Sequence, residues 1–320
     1  MIFLYVALFI VFLTLLTSYI CFRMTFYATR KNKTVKEFDL PPGKEYIPYH
    51  DVMKKWQTEV KKMPYKDVYI TSFDGLKLHG KFYEYESDAP IELMFHGYRG
   101  SAERDLCGGV QRCFSLGRSV LIVDQRAGGK SDGHIISFGI NESRDCLTWV
   151  DYIINNIDKN AKIILCGISM GAATVLLAAG NPLPQNVVGV LADCGYTTAR
   201  EMIEKTIKEM QLPPKILYPF VRLGGLIFGG FDINKATPSE AVKNCKVPVI
   251  FFHGESDNFV PCDMSRRCFD ACSAPKALIT VKGADHGLSY VVDEAGYLKT
   301  VADFFNINGV ETKVQSSQMI

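Results

Sequence analysis

The sequence feature that most constrains the fold is the stretch KIILCGISMGAATVLLAAG, at residues 162–180. Its apolar first half is typical of a buried strand and ends at Gly167, whereas small apolar residues at helical spacing follow Gly171. Ser169 carries the one hydroxyl between these glycines. The glycines remove side chains that would collide as a strand reverses into a helix, so the pattern predicts a tight turn that projects Ser169. Taken alone, the pattern also fits an ordinary turn in which Ser169 caps the helix.

Short apolar runs of the same kind recur along the chain and alternate with helical patterns. An alternating segment around Asp74 and Gly75 precedes them and predicts a hairpin. A helix is predicted over 141–157. This order predicts an α/β fold with a mostly parallel central sheet and helices on both faces. The predicted parallel strands cover 91–97, 119–124, 162–168, 187–194, 247–254 and 275–283.

The N-terminal segment 1–22 contains no charged side chain. At 1.5 Å per residue it would extend roughly 33 Å as a helix, which matches the hydrocarbon core of a bilayer. It lacks the basic start and small-residue cleavage site of a signal peptide, so we predict a transmembrane anchor. Basic residues follow it, which predicts that the bulk of the chain is cytoplasmic. They are Arg23, Arg30, Lys31, Lys33 and Lys36.

Composition excludes some classes of function. The 36 Lys and Arg residues nearly balance 34 Asp and Glu residues, so no basic surface for nucleic acid is expected. The ten cysteines do not form a compact framework, which predicts buried, reduced thiols. We therefore predict no metal site and no organic cofactor.

Two segments outside the strand–helix series leave alternatives open. The connector 23–65 contains an amphipathic helix, with Trp56 on its apolar face and lysines on the other. Packing on the main domain is favoured over binding to lipid. The segment 197–246 is longer than one crossover helix and is predicted to form a small helical cap. Its apolar residues around Ile216 and Phe228 could line an acyl pocket, dip toward lipid, or form a buried helix pair.

A nucleophilic serine requires a base and an acid. Of the six histidines, only His286 follows the last predicted strand, in a loop flanked by glycines. Asp257 lies in the loop after the preceding strand, where a carboxylate can orient an imidazole. The order Ser169, Asp257, His286 is the one expected of an α/β hydrolase. Asp257 is preferred over the other carboxylates considered, which are Glu255, Asp193 and Asp285.

Two backbone amides are placed by sequence to stabilise an oxyanion. One is that of Met170, directly after the serine, and the other is that of Tyr98, in the loop after the first parallel strand.

The motifs HGYRGS, DQRAGGKSDG, GISMGAA, HGESDNFVP and ADHG together resemble those of α/β-hydrolase fold serine hydrolases over residues 66–308. Within that family the chain looks like the membrane-anchored bacterial proteins described as serine aminopeptidase-like or prolyl-oligopeptidase-like. The resemblance implies the triad and oxyanion amides named above. Ala127 departs from the glycine that many relatives have at its position, which puts the shape of that loop in doubt.

The sequence therefore predicts an anchor at 1–22, a connector at 23–65, a hydrolase domain at 66–308 and a tail at 309–320. The predicted function is hydrolysis of an ester or thioester of an apolar, lipid-like acyl group through an acyl-enzyme. A serine peptidase is the first alternative. A non-catalytic membrane scaffold that keeps the fold is the second.

Overall fold

A computed structural model describes residues 1–29, 38–310 and 312 of the chain. Eight strands form one sheet within these residues. Most are apolar on both faces, since helices cover the sheet on either side. The strands are β1 Lys66–Thr71, β2 Lys77–Tyr83, β3 Ile91–Phe95, β4 Ser119–Val123, β5 Ile163–Ile168, β6 Val187–Asp193, β7 Val249–Gly254 and β8 Lys276–Val281.

The strands lie side by side in the order β1-β2-β4-β3-β5-β6-β7-β8. The hairpin β1–β2 is antiparallel and pairs with β4, also antiparallel. All pairs from β4 to β8 are parallel. The mostly parallel sheet predicted from the sequence is confirmed, with the predicted hairpin at its edge. Its parallel strands end at one common edge, where the loops carrying Ser169, Asp257 and His286 meet.

Helices cover both faces of the sheet. On one face α5, α6 and α10 pack through Trp149, Val175 and Cys268. On the other face, α2, α4 and α12 pack through Trp56, Val110 and Phe305. The helices are α1 Ile2–Thr25, α2 His50–Lys62, α3 Ala102–Asp105, α4 Cys107–Ser115, α5 Ile140–Asn156, α6 Met170–Ala179, α7 Ala199–Glu209, α8 Pro214–Gly224, α9 Pro238–Ala241, α10 Cys262–Ala271, α11 Ser289–Val292 and α12 Glu294–Ile307.

Helix α1 is long and apolar enough to cross a membrane, and most of its surface is exposed. Beyond its end, Ala28 donates a backbone hydrogen bond to His134 and Phe26 accepts one from Ile136, so the chain joins the globular part directly. The basic residues Arg30, Lys31, Lys33 and Lys36 lie outside the described residues, as does most of the predicted tail.

The connector and the segment 197–246 pack in different places. Helix α2 of the connector lies on α4, in agreement with the favoured interpretation. The segment 197–246 forms α7, α8, a π-helical turn at Gly225–Gly229 and α9. Its helix α8 packs against α1, so this segment and the N-terminal helix share an interface.

Candidate active site

Ser169 lies on a strained turn between β5 and α6. Its backbone has φ 58° and ψ −117°, a conformation that costs a non-glycine residue on the order of 1–3 kcal/mol. A Cβ atom on Gly167 would lie 2.1 Å from the carbonyl oxygen of Gly171. One on Gly171 would lie 2.0 Å from the carbonyl oxygen of Phe95. The turn therefore requires both glycines, and it projects the hydroxyl beyond the strand.

The structure brings the three predicted side chains together. Ser169 Oγ is 2.9 Å from His286 Nε2, and His286 Nδ1 is 2.7 Å from Asp257 Oδ2. A carboxylate only accepts, so His286 Nδ1 carries the proton and Nε2 is free to accept from the hydroxyl. All three side chains are buried. The arrangement has the connectivity of a nucleophile, a base and an orienting acid.

Asp257 is held by more donors than His286 alone. Its Oδ1 accepts from the amides of Phe259 and Val260, at 2.9 and 2.8 Å. Nε2 of the buried His253 lies 3.2 Å from Oδ2. Burial acts to raise the pKa of Asp257, but the hydrogen bonds from His253 and His286 outweigh it and lower the pKa to about 2. The acid is therefore ionised at neutral pH.

His253 supports the site although the sequence did not predict it to do so. The sequence indicates only that it ends an apolar strand, yet its Nε2 also lies 2.8 Å from the carbonyl oxygen of Val260, and its Nδ1 lies 2.6 Å from Ser265 Oγ. It thus braces the loop that carries Asp257. Its position four residues before Asp257 is the only sequence signal that could have identified it.

The rival acids point elsewhere. Glu255 accepts from Thr280 at the surface. Asp193 is buried and accepts from Ser289 and Tyr297, and burial raises its pKa. Asp285 accepts from the amide of His286, so it positions the histidine backbone, not the ring. Asp257 alone among the acids considered contacts the imidazole of His286.

Two backbone N–H groups are available beside the hydroxyl. Within the described residues, neither the amide of Tyr98 nor that of Met170 donates a hydrogen bond. A Cβ on Gly97 would lie 3.7 Å from Ser169 Cβ, so the loop that carries Tyr98 is adjacent to the serine. Met170 begins α6, where the helix dipole favours negative charge. The geometry is compatible with the oxyanion role that the sequence predicted for both amides.

The loop 96–99 is fixed at both ends. His96 donates from Nδ1 to the carbonyl of Gly97 and accepts at Nε2 from the amide of Gln125. At the other end the Tyr98 hydroxyl donates to the carbonyl of Thr25, at 2.6 Å. Arg99 donates to Met24, at 2.8 Å. The last carbonyls of α1 are thus capped by the loop beside Ser169, a contact that no sequence signal predicted.

A cavity of about 490 Å³ opens at Ser169. It runs down the face of the sheet as far as Cys166, three residues before Ser169 on β5, which corresponds to roughly 10 Å. The connector contributes Tyr46, Met53 and Trp56 to its wall. None of the residues 197–246, all of which the structure describes, lines this cavity. The alternative that this segment lines an acyl pocket thus finds no support at this cavity, and its helix α8 packs against α1.

Glycines and buried polar groups shape the far end of the cavity. Gly108 and Gly109 of α4 leave room for Trp56 and Met94, whose atoms would lie 2.7 and 2.3 Å from added Cβ atoms. Arg112 also lines the cavity and forms a buried ion pair with Glu92. The walls are mostly apolar, although the charged residues Glu45, Arg104 and Asp105 line the cavity as well.

Among the residues that the structure describes, one cluster has metal-ligand chemistry. Donor atoms of Cys194, Asp257 and His286 lie within 4.8 Å of one another. Burial raises the pKa of the Cys194 thiol well above its usual value, so the thiolate that metals prefer is disfavoured. Both His286 nitrogens already have partners. A cation here would have to displace the hydrogen bonds that join the three predicted side chains.

A model of the alpha/beta hydrolase fold family matches residues 93–235. The chain is 30% identical over 192 residues to the uncharacterized protein YqkD of Bacillus subtilis, covering 60% of this chain and 63% of that protein. It thus spans less than two thirds of that relative. It is 27% identical over 229 residues to protein bem46 of Schizosaccharomyces pombe, covering 70% and 69%. The esterase Pf2001 of Pyrococcus furiosus aligns with TM-score 0.64 at 24% identity, covering 78% of this chain and 93% of that structure.

Proposed function

We propose that this chain, which has the α/β-hydrolase fold, is a serine hydrolase that cleaves esters or thioesters of apolar acyl groups. The observation that carries the proposal is the Ser169 hydroxyl, 2.9 Å from an oriented imidazole at the mouth of an apolar cavity. The similar Pyrococcus furiosus protein Pf2001 is an esterase, which supports the same class. No step requires a metal or cofactor.

In the proposed reaction, His286 Nε2 accepts the hydroxyl proton as Ser169 Oγ attacks the carbonyl carbon. Negative charge develops on the carbonyl oxygen, which the amides of Tyr98 and Met170 stabilise. Each such donor contributes about 3 kcal/mol to transition-state stabilisation. His286 then gives its proton to the leaving oxygen or sulfur, which leaves Ser169 acylated. Water repeats the sequence and releases the acid.

The cavity supports an acyl substrate with a chain of moderate length. Its depth of roughly 10 Å below Ser169 suits an extended apolar chain, and Trp56 and Met94 give it apolar walls. A peptide would instead need polar partners along the backbone of the substrate. The peptidase alternative therefore predicts a preference for peptide amides over esters of apolar acids.

The membrane part of the proposal rests on α1. Its 24 residues would anchor the chain in a bilayer, and the basic residues that follow favour a cytoplasmic hydrolase domain. Since Tyr98 and Arg99 cap the end of α1, the anchor would hold the active site close to the lipid surface.

Fluorophosphonate labelling of the full chain in detergent tests the catalytic role. We expect labelling of the wild type and of Ser289→Ala, and none of Ser169→Ala. Ser289 is a matched control because it is also buried beside the cavity but bonds Asp193. Equal labelling of Ser169→Ala would refute the nucleophile, and no labelling of any form would favour a non-catalytic scaffold.

Assays with p-nitrophenyl esters of graded chain length test the substrate class. The proposal predicts turnover that rises with chain length and then falls once the chain exceeds the cavity. Hydrolysis of aminoacyl amides by a protein that turns over none of the esters would reject it in favour of a peptidase.

A further inference from the structure

The interface between α1 and α8 involves close approach of two backbones. A Cβ on Gly224 would lie 2.4 Å from the carbonyl oxygen of Ser18 and 2.9 Å from Phe22 Cβ. Ser18 is buried, whereas most of α1 is exposed. Small residues at such a contact are typical of helices that pack within a membrane. The end of α8 therefore lies directly against α1.

The position of this contact along α1 determines its depth. The first charged residue of the chain is Arg23, five positions after Ser18. At 1.5 Å per residue, Ser18 lies roughly 7 Å on the apolar side of Arg23. If α1 spans the bilayer as proposed, the end of α8 must reach the same depth, because the two helices touch there.

The turn that follows α8 has an apolar surface suited to that depth. Leu226 and Ile227 are 44% and 49% exposed, and Phe228 contacts the ring of Tyr19 on α1 at 5.2 Å between centroids. The turn contains no charged residue. Charged residues flank the turn: Lys215 lies near the start of α8, and Arg222, in its last turn, pairs with Asp232 just beyond the turn and is exposed, so that its long side chain can reach the headgroups. This order of charge and apolar residues is typical of an element that enters the headgroup boundary.

We propose that the turn Gly225–Gly229, together with the end of α8, inserts into the acyl region of the bilayer beside α1. The proposal rests on the proposed membrane anchoring by α1. The partner is the lipid surface, because the turn continues the apolar surface of α1. Insertion at this second point would fix the tilt of the hydrolase domain, with the loop of Tyr98 and Arg99 facing the lipid from which an acyl substrate would come.

Tryptophan quenching in vesicles tests the insertion. The full chain is reconstituted into phosphatidylcholine vesicles with acyl chains brominated either near the ester or near the methyl end. Three variants each add one tryptophan at an exposed isoleucine: Ile227→Trp in the turn, Ile10→Trp in α1 and Ile307→Trp, 85% exposed at the end of α12. The native Trp56 and Trp149 are buried and contribute equally to all three.

We expect Ile10→Trp to lose fluorescence most with bromines near the methyl end, and Ile227→Trp with bromines near the ester. Ile307→Trp should lose none beyond the native signal. If Ile227→Trp behaves like Ile307→Trp while Ile10→Trp is quenched, the insertion is refuted and the anchor stands. Shielding of Ile227→Trp from aqueous iodide in that case would indicate a protein partner, such as a second copy. If Ile10→Trp is not quenched, the anchor is refuted and the insertion with it.

Discussion

The connector and the segment 197–246 both pack on the sheet domain, but they cover different surfaces. The connector is polar over much of its length but buries Met53 and Trp56 in the wall of the cavity. Residues 216–229 of the segment 197–246 are more apolar than the connector. This segment nevertheless contributes no residue to the cavity wall and packs on α1. Apolar composition thus does not indicate which surface of the molecule a segment packs against.

The largest expected effect is on kcat and comes from a change among the three side chains predicted to be catalytic. Asp257→Asn removes the acceptor that orients His286, and we expect kcat to fall by roughly 10⁴-fold for every ester, regardless of chain length. Glu255→Gln, in the same loop, should change kcat little because Glu255 bonds only Thr280. Steady-state kinetics on short and long esters would measure both. An equal loss in the two variants would contradict the assignment of the acid.

Substitution of one buried aromatic residue in each segment tests whether only the connector contributes to the cavity wall. Trp56→Ala enlarges the cavity and should destabilise the protein by roughly 3 kcal/mol, with the preferred acyl chain becoming longer. Tyr218→Ala in α8 should also destabilise the protein but leave chain-length preference unchanged, because Tyr218 bonds Asn234 away from the cavity. Denaturant melts and kcat/KM across the ester series would test this. A shift of preference in Tyr218→Ala would remove the distinction.

The acid loop makes a pH-dependent contribution to stability. The pKa of Asp257 falls from 3.8 to about 2 on folding. A lowered pKa stabilises the folded state above the unfolded value, and the stabilisation is lost as the pH falls toward the folded value. This stabilisation of the folded state by ionised Asp257 amounts to about 2 kcal/mol. The difference in unfolding free energy between wild type and Asp257→Asn should therefore be constant near neutral pH and shrink below about pH 4. A difference that does not depend on pH would contradict the pKa assignment.

The smallest effect concerns two adjacent glycines where α8 ends, of which only Gly224 closely contacts α1. Gly224→Ala should push α8 away from α1 and lower stability in detergent by about 1 kcal/mol. Gly225→Ala is the matched control, since its Cβ would lie 3.4 Å from the nearest atom, an ordinary contact. Thermal melts would compare them, and turnover of a short soluble ester should be unchanged in both. Equal melting temperatures would show that the α1–α8 contact carries little energy.

The sequence pattern was sufficient to predict the sheet and to identify the three side chains that the structure brings together. Strands buried on both faces must be continuously apolar, so their runs are visible, and helices between them make neighbouring strands parallel. Parallel strands end at one edge, and this brings the loops of Ser169, Asp257 and His286 together although 117 positions separate the first from the last. Their catalytic roles remain predictions that the variants above will test.

By itself, the sequence determined the elements that a local pattern marks: the continuously apolar strands, the amphipathic helices, the glycine-flanked turn and the N-terminal helix that begins with an uncharged apolar run. Only the tertiary structure decided which surfaces meet, namely Trp56 against Gly108, Gly224 against Ser18, and Tyr98 against the end of α1. The reason is physical, because periodicity reports that a face avoids water and carries no information about the group that covers it. That choice depends on shape and on hydrogen bonds between residues distant in the chain.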